Sequence, residues 1–496
     1  MKKLAYTFLL ISFLLSGFIA TAQSNHGTIY ADTNNLIVIK VYGNHYERGF
    51  AQGELLGDRI TDIIQNYIMP GFGTEMAYNY IKAIVASGDL FKIDSLYIVE
   101  AKGLIDGMNS VNSNPLELDY ADILLANSML DISGIFETME GMQCSSLMSW
   151  GDATAGTDLD GKSVLTRHLD WTVDDVLIRN QAMVIHVPTE ANEQPWAEIG
   201  FAGMISVLSG FNANIGVFQH MMVDNLSMGS QDSYYEPVWF TLRRSIEQKD
   251  PNNDGSDNVQ DVAYCISQQE QGYADGYIIS ALARSTEVYD SLIAMVAEIA
   301  PDVPYITFRS NAYPDSIPGD NLYTANNQIA RNNSMNFCSR YNGIREHIGF
   351  GTDISLEDNR DLMRNYSNLS INYQFMTYAP EMDLFRVSVR SDMDTPGYDN
   401  PEVDFTISNM FENVSAVPQI ETENTFKIYP NPAGDFIRLD INATSCALQV
   451  VDMTGRVVIE KRMSSNTLDI SRLQRGVYSV RVYDNDRIRL SVFIKK

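Results

Sequence analysis

The chain has 496 residues, 45% of them hydrophobic, and a formal net charge of −28 from 35 basic and 63 acidic side chains. So acidic a balance excludes nucleic acid as a ligand, because phosphate binding needs a basic surface. Four cysteines, at 144, 265, 338 and 446, are too few for a disulfide framework, so stability must come from buried apolar area across more than one domain; one bridge, Cys265 to Cys338, is compatible with the count.

In chain order, Lys2-Lys3, the apolar run Phe8 to Ile19 and Ala20-Thr21-Ala22 predict a cleaved signal peptide over 1–22. No later stretch reaches the roughly 20 apolar residues of a spanning helix, so the expected location is outside the cytoplasm. Asn35 to Val41 reads as a strand. Glu47 to Gly57 then enters a helix, and helical periodicity continues from Glu75 to about Met129. After Cys144 the texture turns to strands: Ser145 to Ser149, Ser163 to Asp170, Ala182 to Val187, Trp196 to Gly200, Ile205 to Gly210 and Ile215 to Val223. Helices return at Val238 to Gln248 and Val259 to Gln269, and strands dominate again from Asn372 to Val389. Helices covering sheets on both sides give an α+β unit over 23–411. A linker at 412–424 leads into short period-2 runs with Pro-Asn-Pro-Ala-Gly and Met-Thr-Gly turns, which predict a small antiparallel β-sandwich over 425–496.

The chemistry centres on Cys144, Arg167 and Asp170. A thiol attacks only as thiolate, so it needs a nearby positive charge or a base. Arg167 is expected to lower the thiol pKa, and Asp170 to hold an amine by a charge-assisted hydrogen bond. The plainer readings are an inert buried cysteine and an ordinary Arg167–Asp170 salt bridge. His168 alternates with Arg167 and so faces the other side of the strand. Asp250 to Asp261 fits much of a D-x-N-x-D-G calcium loop, but Asp257 and Asp261 stand where an aliphatic residue and a glutamate are usual, which favours a solvated acidic turn. The six histidines show no metal spacing, the C-G-S-C-W signature of papain-type proteases is absent, and no cofactor is expected.

Cys144-Ser145-Ser146, Asp160-Gly161-Lys162-Ser163 and Thr166-Arg167-His168-Leu169-Asp170-Trp171 resemble the start of the mature chain in the peptidase C45 family, which includes acyl-coenzyme A:6-aminopenicillanate acyltransferase, with choloylglycine hydrolase and acid amidase relatives. Tyr46 to Gly53 is similar to that family's G-x-Q-x-G element. Tyr323 to Gln328 is similar to its Thr-Asn-His element but lacks the histidine. Ser339-Arg340-Tyr341 is similar to its Ser-x-Arg element. The resemblance covers about 35–400. It implies a four-layer αββα N-terminal-nucleophile (Ntn) hydrolase that cuts itself before Cys144, so that 23–143 becomes a short chain and 144–411 the catalytic domain. It also implies an oxyanion donor at Asn327 or Asn326, with Asn327 preferred, and a site role for Arg340. Asn212 and Asn214, in a Gly-x-Asn element one residue longer than usual, become substrate-shell candidates. The activity implied is hydrolysis of a linear N-acyl amide. Acyl transfer, or a catalytically silent surface binding module, are the alternatives. Ile428 to Ala433, Asp452 to Arg456 and Leu473 to Tyr478 resemble the type A sorting domain of type IX secretion, found on cargo of Bacteroidetes-type bacteria. That implies an immunoglobulin-like sandwich, handling by the type IX machinery, and release or attachment at the cell surface.

Overall fold

The computed structural model describes residues 23–24, 26–136, 143–221, 234–270, 272–285, 292–301, 303–331, 338–412, 426–440, 447–452, 457–463, 465–484 and 487–496. The expected signal peptide, almost all of the expected linker, Cys446 and the Met453 to Arg456 turn lie outside these residues. The chain divides into two compact units, within 1–413 and 414–496.

Two sheets stack face to face in the larger unit. Ten described strands form the first, in the order Gln23–Ser24, Gly27–Thr33, Leu36–Gly43, Gln181–Pro188, Trp196–Phe201, Ser209–Asn212, Ile215–Met221, Tyr277–Ala283, Ala294–Ile299 and Ile306–Arg309. Its pairs are antiparallel except Leu36–Gly43 with Gln181–Pro188, which run parallel. The second sheet orders Asn321–Thr324, Gln143–Ser149, Val164–Asp170, Asn372–Ala379, Leu384–Val389 and Val403–Thr406, all antiparallel. Phe211 of the larger sheet stacks on Phe385 of the smaller at 4.4 Å, which places those faces together as the core. Asn212, on the opposite face, reaches the carbonyl of Ile246 in helix Val238–Glu247. On the far side of the smaller sheet, His168 Nε2 lies 3.1 Å from the Met363 carbonyl of helix Leu356–Tyr366. Helix, sheet, sheet and helix are therefore the four layers of an α+β unit. Strands covered on both faces read as unbroken apolar or small-residue runs, which is why Gln143–Ser149 and Val164–Asp170 are buried almost throughout.

Helix His45–Ile63 begins at a capping box between Asn44 and Glu47. Its Gly49 and Gly53 face helix Ser95–Ser110, where Gly103 and Gly107 face back. A Cβ on Gly49 would stand 2.0 Å from the Glu100 carbonyl, and one on Gly107 would stand 2.0 Å from that of Phe50. The glycines of the G-x-Q-x-G element thus let two helix backbones touch, and Gln52 between them donates to the Met204 carbonyl at 2.9 Å.

One expectation fails here, and the one bridge that the cysteine count allowed does not form. The strand expected over Ile205 to Gly210 begins only at Ser209. Ile205 N–H donates instead to Asn127 Oδ1 and Val207 N–H to the Trp239 carbonyl, so the helical layer captures this apolar run. Cys265 and Cys338 are both free. Cys265 lies on helix Val259–Ser267 beside Arg244, whereas Cys338 precedes helix Ser339–His347 in the opposite outer layer.

The smaller unit has two antiparallel sheets. One pairs Ile428–Tyr429, Phe436–Leu439 and Thr467–Asp469; the other pairs Val457–Arg462, Ala447–Asp452, Gly476–Asp484 and Arg487–Lys495. Alternate residues such as Ile437, Leu439, Leu448, Val450, Val480 and Val482 close on one core, which is the period-2 pattern of the sequence realised in packing.

Candidate active site

Cys144 and Arg167 lie on neighbouring antiparallel strands, with Cys144 opposite Leu169 and Ser146 opposite Arg167. Side chains of matched parity share a face, so the thiol and the guanidinium both enter the space between the sheets. There Arg167 Nη2 lies 3.3 Å from Cys144 Sγ. The guanidinium is itself anchored by the larger sheet, with Nη1 donating to Ser209 Oγ at 2.9 Å and Nη2 to the Gln219 carbonyl at 2.7 Å. Cys144 is fully buried. Burial pushes its thiol above the usual range, and Arg167, Arg340 and the Asp170 backbone N–H only partly offset this. Arg167 thus pulls the thiol pKa down, as expected, but desolvation outweighs it.

Asp170 and Arg167 do not form the salt bridge of the plainer reading. They are an odd number of residues apart, so the Asp170 carboxylate turns to the other face and meets Arg340 Nη1 at 3.1 Å and Asn372 Nδ2 at 2.9 Å. Burial lifts the Asp170 carboxyl to about 6, against the pull of Arg340 and Asn372.

Register also separates the two asparagines. Thr324 pairs with Ser146, so continuing the antiparallel count brings Asn326 beside Cys144. Asn326 Oδ1 accepts from the Cys144 N–H at 3.2 Å and from Arg340 Nη2. Asn327, the residue preferred from sequence, is turned away by the same parity; it is buried, and its Oδ1 has no partner among the described residues.

Hydroxyl groups pin strand Gln143–Ser149 from both faces. Ser146 Oγ and Ser280 Oγ each lie 3.1 Å from His220 Nε2, with Thr324 Oγ1 at 2.9 Å from Ser280. On the opposite face Ser367 bridges Ser145 and Tyr323. Burial, reinforced by Arg167 and Arg340, holds His220 far below its usual pKa, so it is a neutral hydrogen-bonding group. Ser209, Gln219, His220 and Asn372 had no distinguishing signal in sequence.

An apolar cavity adjoins these anchors. It is walled by Ile60, Ile63, Ile64, Ile68, Leu177 and Phe201, among other apolar residues. Three further wall residues tie it to the thiol. Trp171 follows Asp170, Leu208 precedes Ser209, and Trp239 donates to Gln219 Oε1 at 2.9 Å.

Two sequence candidates lie elsewhere. Asn212 Oδ1 accepts from Asn214 N–H and Ile215 N–H in the turn between two strands, and Asn214 Nδ2 donates to Asp257. They are turn asparagines on the helical side of the larger sheet. In the Asp250 to Asp261 loop, Asp250 accepts from Asp254 and Gly255 N–H, and Asp261 caps helix Val259–Ser267 with Asn258.

A buried charge cluster was not foreseen. His45 lies 2.7 Å from Glu100 and 2.8 Å from Glu193, Arg243 lies 2.6 Å from Glu100 and 2.7 Å from Glu247, and Arg48 lies 3.0 Å from both Glu193 and Glu247. Burial pushes the His45 pKa down, but the Glu100 and Glu193 hydrogen bonds overcome it and raise it to about 9. Ligand-type atoms of His45, Glu193 and Glu247 fall within 4.8 Å of one another, a spacing suited to a cation. Two guanidiniums and an imidazolium already neutralise the three carboxylates, so the cluster is a closed ion network tying helices to the larger sheet.

Comparison with known proteins bears mainly on the smaller unit. Residues 427–496 match the family described as Secretion system C-terminal sorting domain. The chain carries that sorting domain, which marks it for handling by the type IX machinery and for secretion or attachment at the cell surface. The chain is 24% identical over 244 residues to Protein dcd1B of Dictyostelium discoideum, covering 46% of each. It is 23% identical over 258 residues to Protein dcd1A, covering 45% of this chain and 53% of that protein. It thus spans about half the length of these curated relatives. Among solved structures, a Caenorhabditis elegans N-acylethanolamine-hydrolyzing acid amidase ortholog aligns at 12% identity and a TM-score of 0.34, over 48% of this chain and 93% of that one. PorZ of Porphyromonas gingivalis, an essential bacterial surface component of the type-IX secretion system, aligns at 19% identity and a TM-score of 0.14, over 23% of this chain and 15% of that one. No helix among the described residues is long and apolar enough to cross a membrane.

Proposed function

We propose that the larger unit is an exported, self-processing cysteine hydrolase of the Ntn class that cleaves a linear N-acyl amide, with Cys144 as nucleophile. The observation that carries this reading is the double engagement of Cys144, its Sγ by Arg167 and its backbone nitrogen by Asn326. A structural cysteine needs neither contact. An enzyme that uses its own N-terminal amine as base needs both the thiol and that nitrogen held in place.

Maturation follows from the same geometry. Cys144 Sγ attacks the Gln143 carbonyl carbon, the amide nitrogen leaves as the Cys144 amine, and water then opens the thioester to a Gln143 carboxylate and a free thiol. An amine has an unperturbed pKa of about 7.7–8.0 and accepts a proton at neutral pH, which the preceding amide could not. In the uncut chain the raised pKa leaves Cys144 a thiol, and its proton passes to the departing Cys144 nitrogen in the cleavage itself. In turnover the amine takes the thiol proton and the thiolate attacks the acyl carbonyl. Asn326 Nδ2 and backbone N–H groups receive the oxyanion, and the leaving amine departs with the proton held by the N-terminus. Water completes the cycle by hydrolysing the thioester. The Asp170–Arg340 pair fixes Asn326 from behind. The apolar cavity against the anchors of Arg167 suits the acyl group. Acyl-coenzyme A is scarce outside the cell, which favours water over an acyl acceptor.

Sequencing the N-terminus of the mature protein tests this directly. Cys-Ser-Ser-Leu-Met is the expected start of one fragment, and Cys144→Ala should yield an uncut chain without amidase activity. An active enzyme whose only N-terminus is Gln23 would overturn the assignment. The full burial of Cys144 favours a second reading, a silent binding module that keeps the fold. An uncut mature chain that turns over no N-acyl amide is the result that reading expects.

A further inference from the structure

A cut before Cys144 would make that residue the start of a chain whose opening strand ends at Ser149. Chain termini fray unless something ties them down. The backbone ladder ties this one unevenly. Its pairing with Val164–Asp170 includes Cys144, opposite Leu169. Its pairing with Asn321–Thr324 stops at Ser146, opposite Thr324. Cys144 and Ser145 therefore have a paired strand on one side only, and Ser146 is the first residue paired on both.

A side chain of the other sheet reaches that residue. His220, on strand Ile215–Met221, turns its Nε2 to three hydroxyls, with Ser146 Oγ and Ser280 Oγ at 3.1 Å and Thr324 Oγ1 at 3.4 Å. Ser280 and Thr324 close the ring at 2.9 Å. All four side chains are fully buried, and the imidazole is neutral, so it serves as a hydrogen-bonding post. Ser146 is two residues from Cys144. Thr324 is two residues from Asn326, whose Oδ1 accepts from the Cys144 N–H. Gln219, beside His220, accepts Arg167 Nη2 at its carbonyl, and that nitrogen lies 3.3 Å from Cys144 Sγ. One strand of the larger sheet thus holds both the guanidinium beside the thiol and the strand that bears the thiol. The Ser145–Ser367 contact on the opposite face ties that strand to the end of helix Leu356–Tyr366 instead.

On the hydrolase reading above, we propose that His220 is a positioning residue that pins the new N-terminal strand to the larger sheet. The Cys144 amine and thiol then keep their place beside Asn326 and Arg167 once the preceding bond is gone. Before the cut the pin matters less, because the covalent chain still restrains Cys144 at both ends.

The experiment compares the full-length wild type with His220→Leu, His220→Gln and Ser146→Ala. Leucine fills the space without a polar atom, and glutamine puts an amide near the place of Nε2. Ser146→Ala removes the strand's half of the contact with little change of volume, should the leucine variant fail to fold. Self-cleavage is timed by the appearance of the fragment that starts at Cys144. Then kcat and KM for an N-acyl p-nitroanilide are measured per titrated active site. His220→Leu and Ser146→Ala should cut themselves at nearly the wild-type rate. Their kcat should fall by about ten- to a hundredfold with KM unchanged, the scale of a lost buried hydrogen bond and a misplaced reacting group. His220→Gln should recover most of kcat with the wild-type pH profile. Equal slowing of cleavage and turnover, a loss confined to KM, a wild-type kcat in Ser146→Ala, or a glutamine variant with a shifted pH profile would each overturn the proposal. If wild type neither cuts itself nor hydrolyses the anilide, the hydrolase reading fails. A urea-unfolding cycle between Ser146→Ala and His220→Leu then still decides whether His220 pins that strand. Unfolding constants coupled by at least about threefold support the pin, and constants that simply multiply overturn it.

Discussion

Asn326 and Asn327 are adjacent and alike, and the register between Asn321–Thr324 and Gln143–Ser149 gives them opposite surroundings, so on the proposed hydrolase reading exchanging each for aspartate isolates the oxyanion donor. Asn326→Asp would keep an oxygen where Asn326 Oδ1 now accepts from Cys144 N–H and Arg340. The variant would lose only the Nδ2 donor and gain a charge beside a guanidinium. The fold and the self-cleavage should therefore survive, while the rate constant for hydrolysis drops. Removing one oxyanion donor typically costs about two to three orders of magnitude in kcat, or roughly 3–4 kcal/mol. Asn327→Asp, whose side-chain oxygen has no partner among the described residues, should change kcat by less than about threefold on the same scale. The assay is burst titration of active sites with an N-acyl p-nitroanilide, followed by steady-state kcat per titrated site, with thermal melting to confirm the fold. A hundredfold loss in the Asn327 variant beside a nearly unaffected Asn326 variant would refute the register argument and restore Asn327 as the donor.

Arg167→Met should destabilise the protein by about 2–4 kcal/mol in urea unfolding, because Ser209 Oγ and the Gln219 carbonyl lose a buried charged donor. It should also slow alkylation of Cys144 by iodoacetamide. Activity should fall on acidification with a midpoint near pH 6, the raised value of Asp170, because its carboxylate form holds Arg340. The stability sign is opposite. A carboxyl raised from 3.8 to about 6 favours the fold in its protonated form, so its contribution is full below pH 3.8 and is lost as pH rises through about 6. That loss is about 3 kcal/mol. Comparing wild type with Asp170→Asn by denaturant titration at pH 4 and pH 7.5 should show this decline only in the wild type. Deleting residues 425–496 should leave a folded protein in the periplasm, and normal surface delivery, read by protease accessibility on intact cells, would count against the sorting role.

The legible part of the site was the part written on one strand or one short motif. Cys144, Arg167 and Asp170 stood out because a thiol, a guanidinium and a carboxylate sat at fixed spacing on two apolar runs. The face each side chain takes depends on strand parity, which sent Asp170 to Arg340 rather than to Arg167 and chose Asn326 over Asn327 as the partner of the Cys144 nitrogen. Ser209, Gln219 and His220 come from the other sheet. Nothing local distinguishes them from core polar residues, since only sheet stacking brings them to Arg167 and Ser146. Arg48 and Gly49 were visible as a motif, but their work is helix contact and charge closure, which requires knowing that Glu100 and Glu247 lie opposite. The strand expected at Ile205 was lost because a buried apolar run has no period of its own to say whether a sheet or a helical layer will hold it.

The strand Leu36–Gly43 lies between Gly27–Thr33 and Gln181–Pro188, within the sheet rather than at its edge. A cut before Cys144 would therefore leave two chains sharing one continuous ladder of hydrogen bonds, and neither could withdraw without opening the core. Such a protein has a folding history that cannot be repeated. Its first folding is unimolecular, on a covalently continuous chain, with the parallel pairing assisted by the connection. After the cut, unfolding releases two separate polymers, and reassembly becomes a dilution-dependent encounter. For a protein sent outside the cell, beyond chaperones and ATP, durability is then set by the height of the unfolding barrier rather than by the depth of the folded well.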